Sequence, residues 1–215
     1  MLDDRSLQES VLNELVWEPS IDVAHIGVTA DRGIITLTGH VENFLQKRNA
    51  EKAAARVRGV RAVVEELEVR LPFPLKYGDE EVAKAALNRL DWEVDVPKGV
   101  VAIRVENGWV TMRGCVEWRF QREAAERVLR GLTGVVGIQN EITTKAHPIE
   151  QDVTAEIDAA LHRSRFDPRT ITVTAEGGRV TLNGTVPTLA DRHVACQTAW
   201  KARGATEVEN NLVVA

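Results

Sequence analysis

Apolar positions along the chain follow one rhythm, and the rhythm recurs three times. It opens with a spacing of four: Leu7, Val11 and Leu15, then Val82, Ala86 and Leu90, then Val153, Ile157 and Leu161. Residues four apart stack on one face of a helix, so each set predicts an amphipathic helix with a single apolar stripe. Acidic residues stand ahead of or at the head of each: Asp3 and Asp4, then Asp79, Glu80 and Glu81, then Glu150 and Asp152. Negative charge suits the partly positive amino end of a helix. The period then drops to two. Short alternating stretches at Ile26-Gly27-Val28, Val101 to Val105 and Ile171-Thr172-Val173 predict strands. Glycine turns follow at Asp31-Arg32-Gly33, Glu106-Asn107-Gly108 and Glu176-Gly177-Gly178, and each predicts a hairpin.

The return strand is the most regular phrase in the chain. It reads Ile34 to Val41, Trp109 to Val116 and Arg179 to Val186, with a central glycine at Gly39, Gly114 or Gly184. A turn glycine precedes it by six residues and another, at Gly59, Gly134 or Gly204, follows it by twenty. Three glycines in one register, three times over, mark an internal triplication. The central glycine is read as ending the hairpin, at a point where a helix backbone comes close or φ is positive. A second helix then runs toward the third glycine with a small inward face: Ala50, Ala54 and Val57; Ala125, Leu129 and Leu132; Ala195, Ala199 and Ala202. A closing strand is predicted at Val63–Val69, Ile138–Thr143 and Val208–Val214. The fold class is therefore α+β: three tandem αββαβ units, each a three-stranded mixed sheet with two helices on one face. The units are placed at residues 1–71, 79–145 and 150–215. The linkers between them, Leu71 to Gly78 and Lys145 to Ile149, carry prolines and are read as semi-rigid spacers. Strand order, packing between units and oligomeric state stay open.

Composition narrows the function. A net charge of -5 lacks the basic surplus of a dedicated nucleic-acid binder. The amino terminus lacks the basic start and apolar run of a secretory signal, and no stretch is apolar enough to span a membrane. A cytoplasmic location, with contact to a membrane only from its surface, is the expectation. Cys115 and Cys196 occupy non-equivalent positions and are read as plain reduced cysteines.

At the closing strand the residues resemble the BON-domain family. Its pattern is a turn glycine, V-x-L-x-G-x-V, an alanine-bearing helix, then G-V-x-x-V-x-N-x-L-x-V. This chain has Gly59-Val60 through Val69, Gly134-Val135 through Ile142 and Gly204-Ala205 through Val214. The family asparagine is present as Asn140 and Asn210 and is replaced by Glu65 in the first copy. The resemblance implies a stress- or transport-associated interaction module that docks on anionic phospholipid or on envelope-associated proteins. Many relatives are exported with a signal or lipid anchor, and neither is visible here. The alternatives are a cytoplasmic protein-binding scaffold or holdase-like chaperone. A further one is potassium sensing, found in a relative that also carries a LysM domain; no such segment is visible in this chain.

Candidate chemistry is sparse. The histidines His25, His40, His147, His162 and His193 show no metal-ligand spacing, so no metal site is assigned. No catalytic grouping recurs, Gly177-Gly178 sits in a hairpin rather than a phosphate loop, and no cofactor is implied. The chain reads as a non-enzyme. Basic residues gather on the second helices: Lys47, Arg48, Lys52, Arg56 and Arg58; Arg119, Arg122, Arg127 and Arg130; Arg192, Lys201 and Arg203. They suit either a lipid-headgroup face or a solvated helix surface. Trp17, Trp92 and Phe166 fall at matching loop positions and are expected to plug the cores. The candidate lipid- or partner-binding residues are Trp118, Arg119, Phe120 and Arg122, an aromatic-arginine cluster at the start of the second copy's second helix. Trp109, just past a hairpin glycine, is a candidate exposed anchor.

Overall fold

The structure is a computed structural model of the chain. It describes residues 3–72, 77–145, 154–163, 170–176, 178–202 and 205–215. Pro74 and Pro148 of the linkers, Glu150, Asp152, Val153, Phe166, Gly177, Arg203 and Gly204 lie outside that set, as do His147 and the side chain of His162.

Each unit repeats one element order. Unit one has α1 (Asp4–Trp17), β1 (Ile26–Asp31), β2 (Ile34–Val41), α2 (Phe44–Arg56) and β3 (Ala62–Val69). Unit two has α3 (Asp79–Trp92), β4 (Val101–Glu106), β5 (Trp109–Val116), α4 (Arg119–Arg130) and β6 (Gly137–Thr144). Unit three has α5 (Thr154–His162), β7 (Ile171–Glu176), β8 (Arg179–Val186), α6 (Leu189–Trp200) and β9 (Glu207–Val214). Every sheet is mixed, with the return strand in the middle. It pairs antiparallel with the first strand through the hairpin and parallel with the third across the second helix.

The apolar stripes meet as their spacing requires. Leu7, Val11 and Leu15 of α1 pack with Ile35 and Leu37 of β2 and Ala50, Ala53 and Ala54 of α2. Val82, Ala86 and Leu90 do the same with Val110, Met112, Ala125 and Leu129. Both helices therefore cover one face of each sheet. Alanine on the second helix has no side chain to hold the backbones apart. Removing any one large member, such as Leu37 or Met112, would cost about 2–5 kcal/mol.

The three glycines of each unit have three jobs. In the hairpin turns Arg32 and Asn107 sit at φ 48° and 49°, followed by Gly33 and Gly108 at φ 84° and 77°. Positive φ at both central residues matches the twist of the flanking strands. Arginine is ill suited to that geometry, and the first helix compensates. The Arg32 amide donates to Asp4 Oδ1 at 2.8 Å, and the Asn107 and Gly108 amides donate to Asp79 at 2.8 and 2.9 Å. The acidic residues at the helix start thus hold the hairpin as well as favouring the helix. The turn glycine also lies against the third glycine: a Cβ on Gly108 would stand 2.7 Å from the Gly134 carbonyl oxygen.

The central glycine corrects the sequence expectation in part. It has the expected positive φ, 110° at Gly39, 159° at Gly114 and 133° at Gly184. It also ends the hairpin as expected, being the last antiparallel pair, opposite Ile26, Val101 or Ile171; the strand runs two residues further against the third strand, and the close neighbour is not a helix. A Cβ on Gly39, Gly114 or Gly184 would lie 2.0, 2.3 or 1.9 Å from the carbonyl oxygen of His25, Val100 or Thr170. Those carbonyls belong to the residue just before each first strand.

A polar lock ties the second helix to the third strand. Arg122 donates to the Asn140 carbonyl at 3.2 Å, and Asn140 returns a bond to the Arg122 carbonyl at 3.1 Å. Arg192 and Asn210 repeat it at 3.2 and 3.3 Å. Each asparagine also accepts from the amide two residues on. In unit one the pair has become Lys47 and Glu65, joined at 2.9 Å, with Glu65 accepting from the Leu67 amide at 2.8 Å. The departure from the family asparagine is therefore a paired exchange that keeps the contact.

The Gly114→Ala variant is expected to lose about 2 kcal/mol or more, from the strained φ and the clash with Val100. Urea denaturation measures it; a loss below about 0.5 kcal/mol would show that the close approach is not a constraint.

Candidate functional site

The first residues of the three second helices are Phe44, Arg119 and Leu189. Each reaches into the next unit. Phe44 is buried in the core of unit two. The Arg119 guanidinium lies over the Trp200 ring of unit three, 4.3 Å from its centre. Leu189 packs against the core of unit one. A head-to-tail contact that returns to its start generates a closed ring. The first turns of the three second helices thus link the units into a closed ring.

Charged side chains fill the helix surfaces around this hub, and most are paired. Arg48 bonds Glu51, Arg119 bonds Glu123 at 2.9 Å, and Arg130 bonds Glu126 at 2.6 Å. Arg56 joins Glu14 at 2.8 Å and Glu18 at 3.1 Å, and Arg127 joins Asp95 at 3.3 Å. With Lys47 on Glu65, and Arg122 and Arg192 on strand carbonyls, the second helices do not present a face of unpaired cations. Burial alone would raise the Glu126 carboxyl, but bonds from Arg130 and Asn140 and the charge of Arg48 hold it below the usual carboxylate range. Burial lowers Lys52, as do the guanidiniums of Arg130 and Arg48. Burial also lowers His193, with Glu123 pulling the other way. Arg48 and Lys52 come from unit one, Glu123 and Arg130 from unit two and His193 from unit three, so the units share one electrostatic environment.

Surface grooves lie between units one and two and between units two and three, and they differ. Between units one and two the groove is about 220 Å³, with Asn43, Leu45 and Arg130 on its walls. Between units two and three it is about 350 Å³, lined by Trp118, Arg119, Phe120, Glu123, Trp200 and Lys201 among others. Trp118, Arg119 and Phe120 of the sequence cluster are thus brought together. Arg122 is turned to the sheet, in the lock with Asn140. Trp109 lies on the far face of the β5 sheet, its ring over Gly137, where a Cβ would stand 2.6 Å from it. It is exposed, as expected, and separate from the groove. Trp200 was missed because it matches alanine and arginine in the other copies; its signal was its spacing, sixteen residues past the central glycine on the helix that Arg119 must reach. A larger depression of about 740 Å³ between α5 and α6 is lined mainly by alanine and brings no aromatic ring to a polar group.

Trp17 and Trp92 contradict the expectation that they plug the cores. They are 84% and 87% exposed. Both are the last residues of their helices rather than loop residues. Each follows its final stripe residue, Leu15 or Leu90, by two, a turn of about 200° that points it away from the core. Val16 and Val94, the latter 96% exposed, stand beside them.

Small αββαβ units, set head to tail with aromatic residues at joints and helix ends, define the class of protein. The BON-domain model matches residues 3–70, 78–146 and 149–215, and the chain belongs to the BON-domain family. Osmotically-inducible protein Y of Escherichia coli (strain K12) is 29% identical over 148 residues, covering 67% of this chain and 74% of that protein. Among solved structures, CdsD of the Chlamydia trachomatis type III secretion system aligns at TM-score 0.28 and 16% identity, over 96% of this chain and 91% of that one. The PrgH periplasmic domain aligns at 0.22 and 12%, over 95% and 99%. No helix among the described residues is long and apolar enough to cross a membrane, and none of their His, Cys, Asp and Glu side chains form a group of three or more able to hold a metal.

Acid should loosen unit two by a defined route. Glu126 has a lowered carboxyl pKa in the folded chain, so its stabilising contribution is present above the usual carboxylate range and is lost as pH falls through it. Thermal melts from pH 6 to pH 3, taken as about that range, should show a shallower acid decline in the Glu126→Gln variant than in the parent. Parallel declines would contradict this.

Proposed function

We propose that the chain is a non-enzymatic, osmotic-stress-associated docking protein that rests on phospholipid surfaces through its tryptophan tips. The observation that carries the reading is the exposure of Trp17 and Trp92, with Val16 and Val94 beside them, on equivalent helix ends of one ring. Nearly bare indoles suit the membrane-water interface, where an amphipathic ring finds apolar contact on one side and water on the other. Burying a valine or leucine side chain there stabilises by on the order of 2 kcal/mol, so a few such tips give reversible rather than permanent attachment. The stress association rests on family membership and on the likeness to an osmotically inducible protein.

The reading replaces an electrostatic attraction with an apolar one. Eight basic residues of the second helices, among them Arg48, Arg119 and Arg130, are occupied by carboxylates or carbonyls, and the chain carries a net charge of -5. Anionic headgroups are therefore tolerated, not sought. A membrane surface on either side of the bilayer would serve. A partner protein that covers the same tips is the competing reading.

Co-sedimentation with phosphatidylglycerol and phosphatidylcholine vesicles separates these. Binding to both is expected to persist from low salt to about 0.5 M, where charge attraction is screened within a few ångströms. The Trp17→Ser/Trp92→Ser variant should bind about tenfold more weakly. Binding that disappears with salt, survives the double substitution, or is absent at low salt contradicts the reading.

A further inference from the structure

The three joints put unlike residues at matching positions, and α2 packs beside α6 whereas α4 makes no comparable approach to either helix. Two of them carry an apolar plug, Phe44 or Leu189. The joint between units two and three has Arg119 instead, stacked on Trp200, and keeps a cavity of about 350 Å³. Its rim differs too. Helix α2 begins at Asn43, whose side chain accepts from the Gln46 amide at 2.9 Å, and α6 begins at Thr188, which accepts from the Asp191 amide at 3.0 Å. Helix α4 begins at Trp118, whose indole can donate but not accept and supplies no cap. The Gln121 amide falls back on the Trp118 carbonyl instead, at 3.1 Å. Phe120, 53% exposed, stands where unit one has Leu45 and unit three has Ala190. A joint that trades a plug and a helix cap for exposed rings is shaped for something other than closure.

The chemistry of the lining selects the occupant. Trp200 already holds a cation on its face, which shows what these rings attract. The groove is poor in acceptors: its one carboxylate, Glu123, is engaged by Arg119 Nε. An ammonium or guanidinium would enter with several N–H groups left unsatisfied. A methylated ammonium asks for no acceptor and loses little by sitting against Trp118 and Phe120. Donors are available close by, in Lys201, Gln197 and the outer edge of the Arg119 guanidinium, and these suit a carboxylate. The cavity suits a small molecule with both ends.

We propose that the groove formed by Trp118, Phe120, Trp200, Arg119 and Lys201 is a binding site for a small zwitterion that carries a quaternary ammonium and a carboxylate. The site is separate from the tryptophan tips, so it stands or falls independently of membrane docking.

Glycine betaine is the probe, titrated into the full chain and followed by calorimetry and tryptophan fluorescence. Glycine, which keeps the carboxylate but carries a primary ammonium, is the comparison. Saturable betaine binding at least tenfold tighter than glycine is expected. Trp118→Asn is the informative variant, because it restores the cap used by α2 and so should leave the fold intact or firmer. It should weaken betaine binding about tenfold, as should Phe120→Ala, while vesicle binding is unchanged. The proposal is overturned by a response that never saturates, by equal binding of glycine, or by a Trp118→Asn variant that binds betaine as the parent does.

Discussion

The contact on which this molecule depends is the reach of one side chain, at the first turn of each second helix, into the neighbouring unit. Sixty to seventy residues form a thin two-layer structure whose second helix covers the sheet with alanines. That helix leaves an outer surface that one unit cannot bury by itself. Placing Phe44 in unit two, Arg119 on Trp200 and Leu189 against unit one covers all three outer surfaces at once. Closure also explains the charges. Arg48, Glu123 and His193 occupy the same register of the three helices, and at the hub they sense each other across unit boundaries.

Much of the fold was legible because it rests on short-range patterns repeated three times. The stripe Leu7, Val11, Leu15, the turn at Gly33 and the alternation Ile35, Leu37 are local signals, and the closing strands lie within a residue or so of expectation. The reason for the central glycine was only half readable, since positive φ is a local property but the carbonyl of His25 comes from the turn just before the first strand. Trp17 was misplaced for a specific reason. Helix α1 was taken to stop before it, and one further half-turn carries the side chain from the core side to the water side.

The ring itself could not be read, because equivalence among copies argues for a shared role whereas the joints use unlike residues for the same reach. Phenylalanine, arginine and leucine share no chemistry that marks them as counterparts. The same difficulty hid the identity of Glu65 with Asn140: the exchange makes sense only beside Lys47 and Arg122. Within a repeat array, divergence at an equivalent position is as informative as sameness, once the geometry supplies the equivalence. Units one and three keep capped helices and apolar plugs, whereas unit two carries the rings.

The most direct test of the account is hydrogen exchange on the Leu189→Ser variant. Leu189 lies in the third unit, yet its packing is against the first. The closed ring predicts that amides of α2 around Ala50 and Ala54, distant in sequence, lose protection along with those of α6. Protection lost only within unit three, with α2 unchanged, would mean that the units hang as a string and that the ring is not the organising feature.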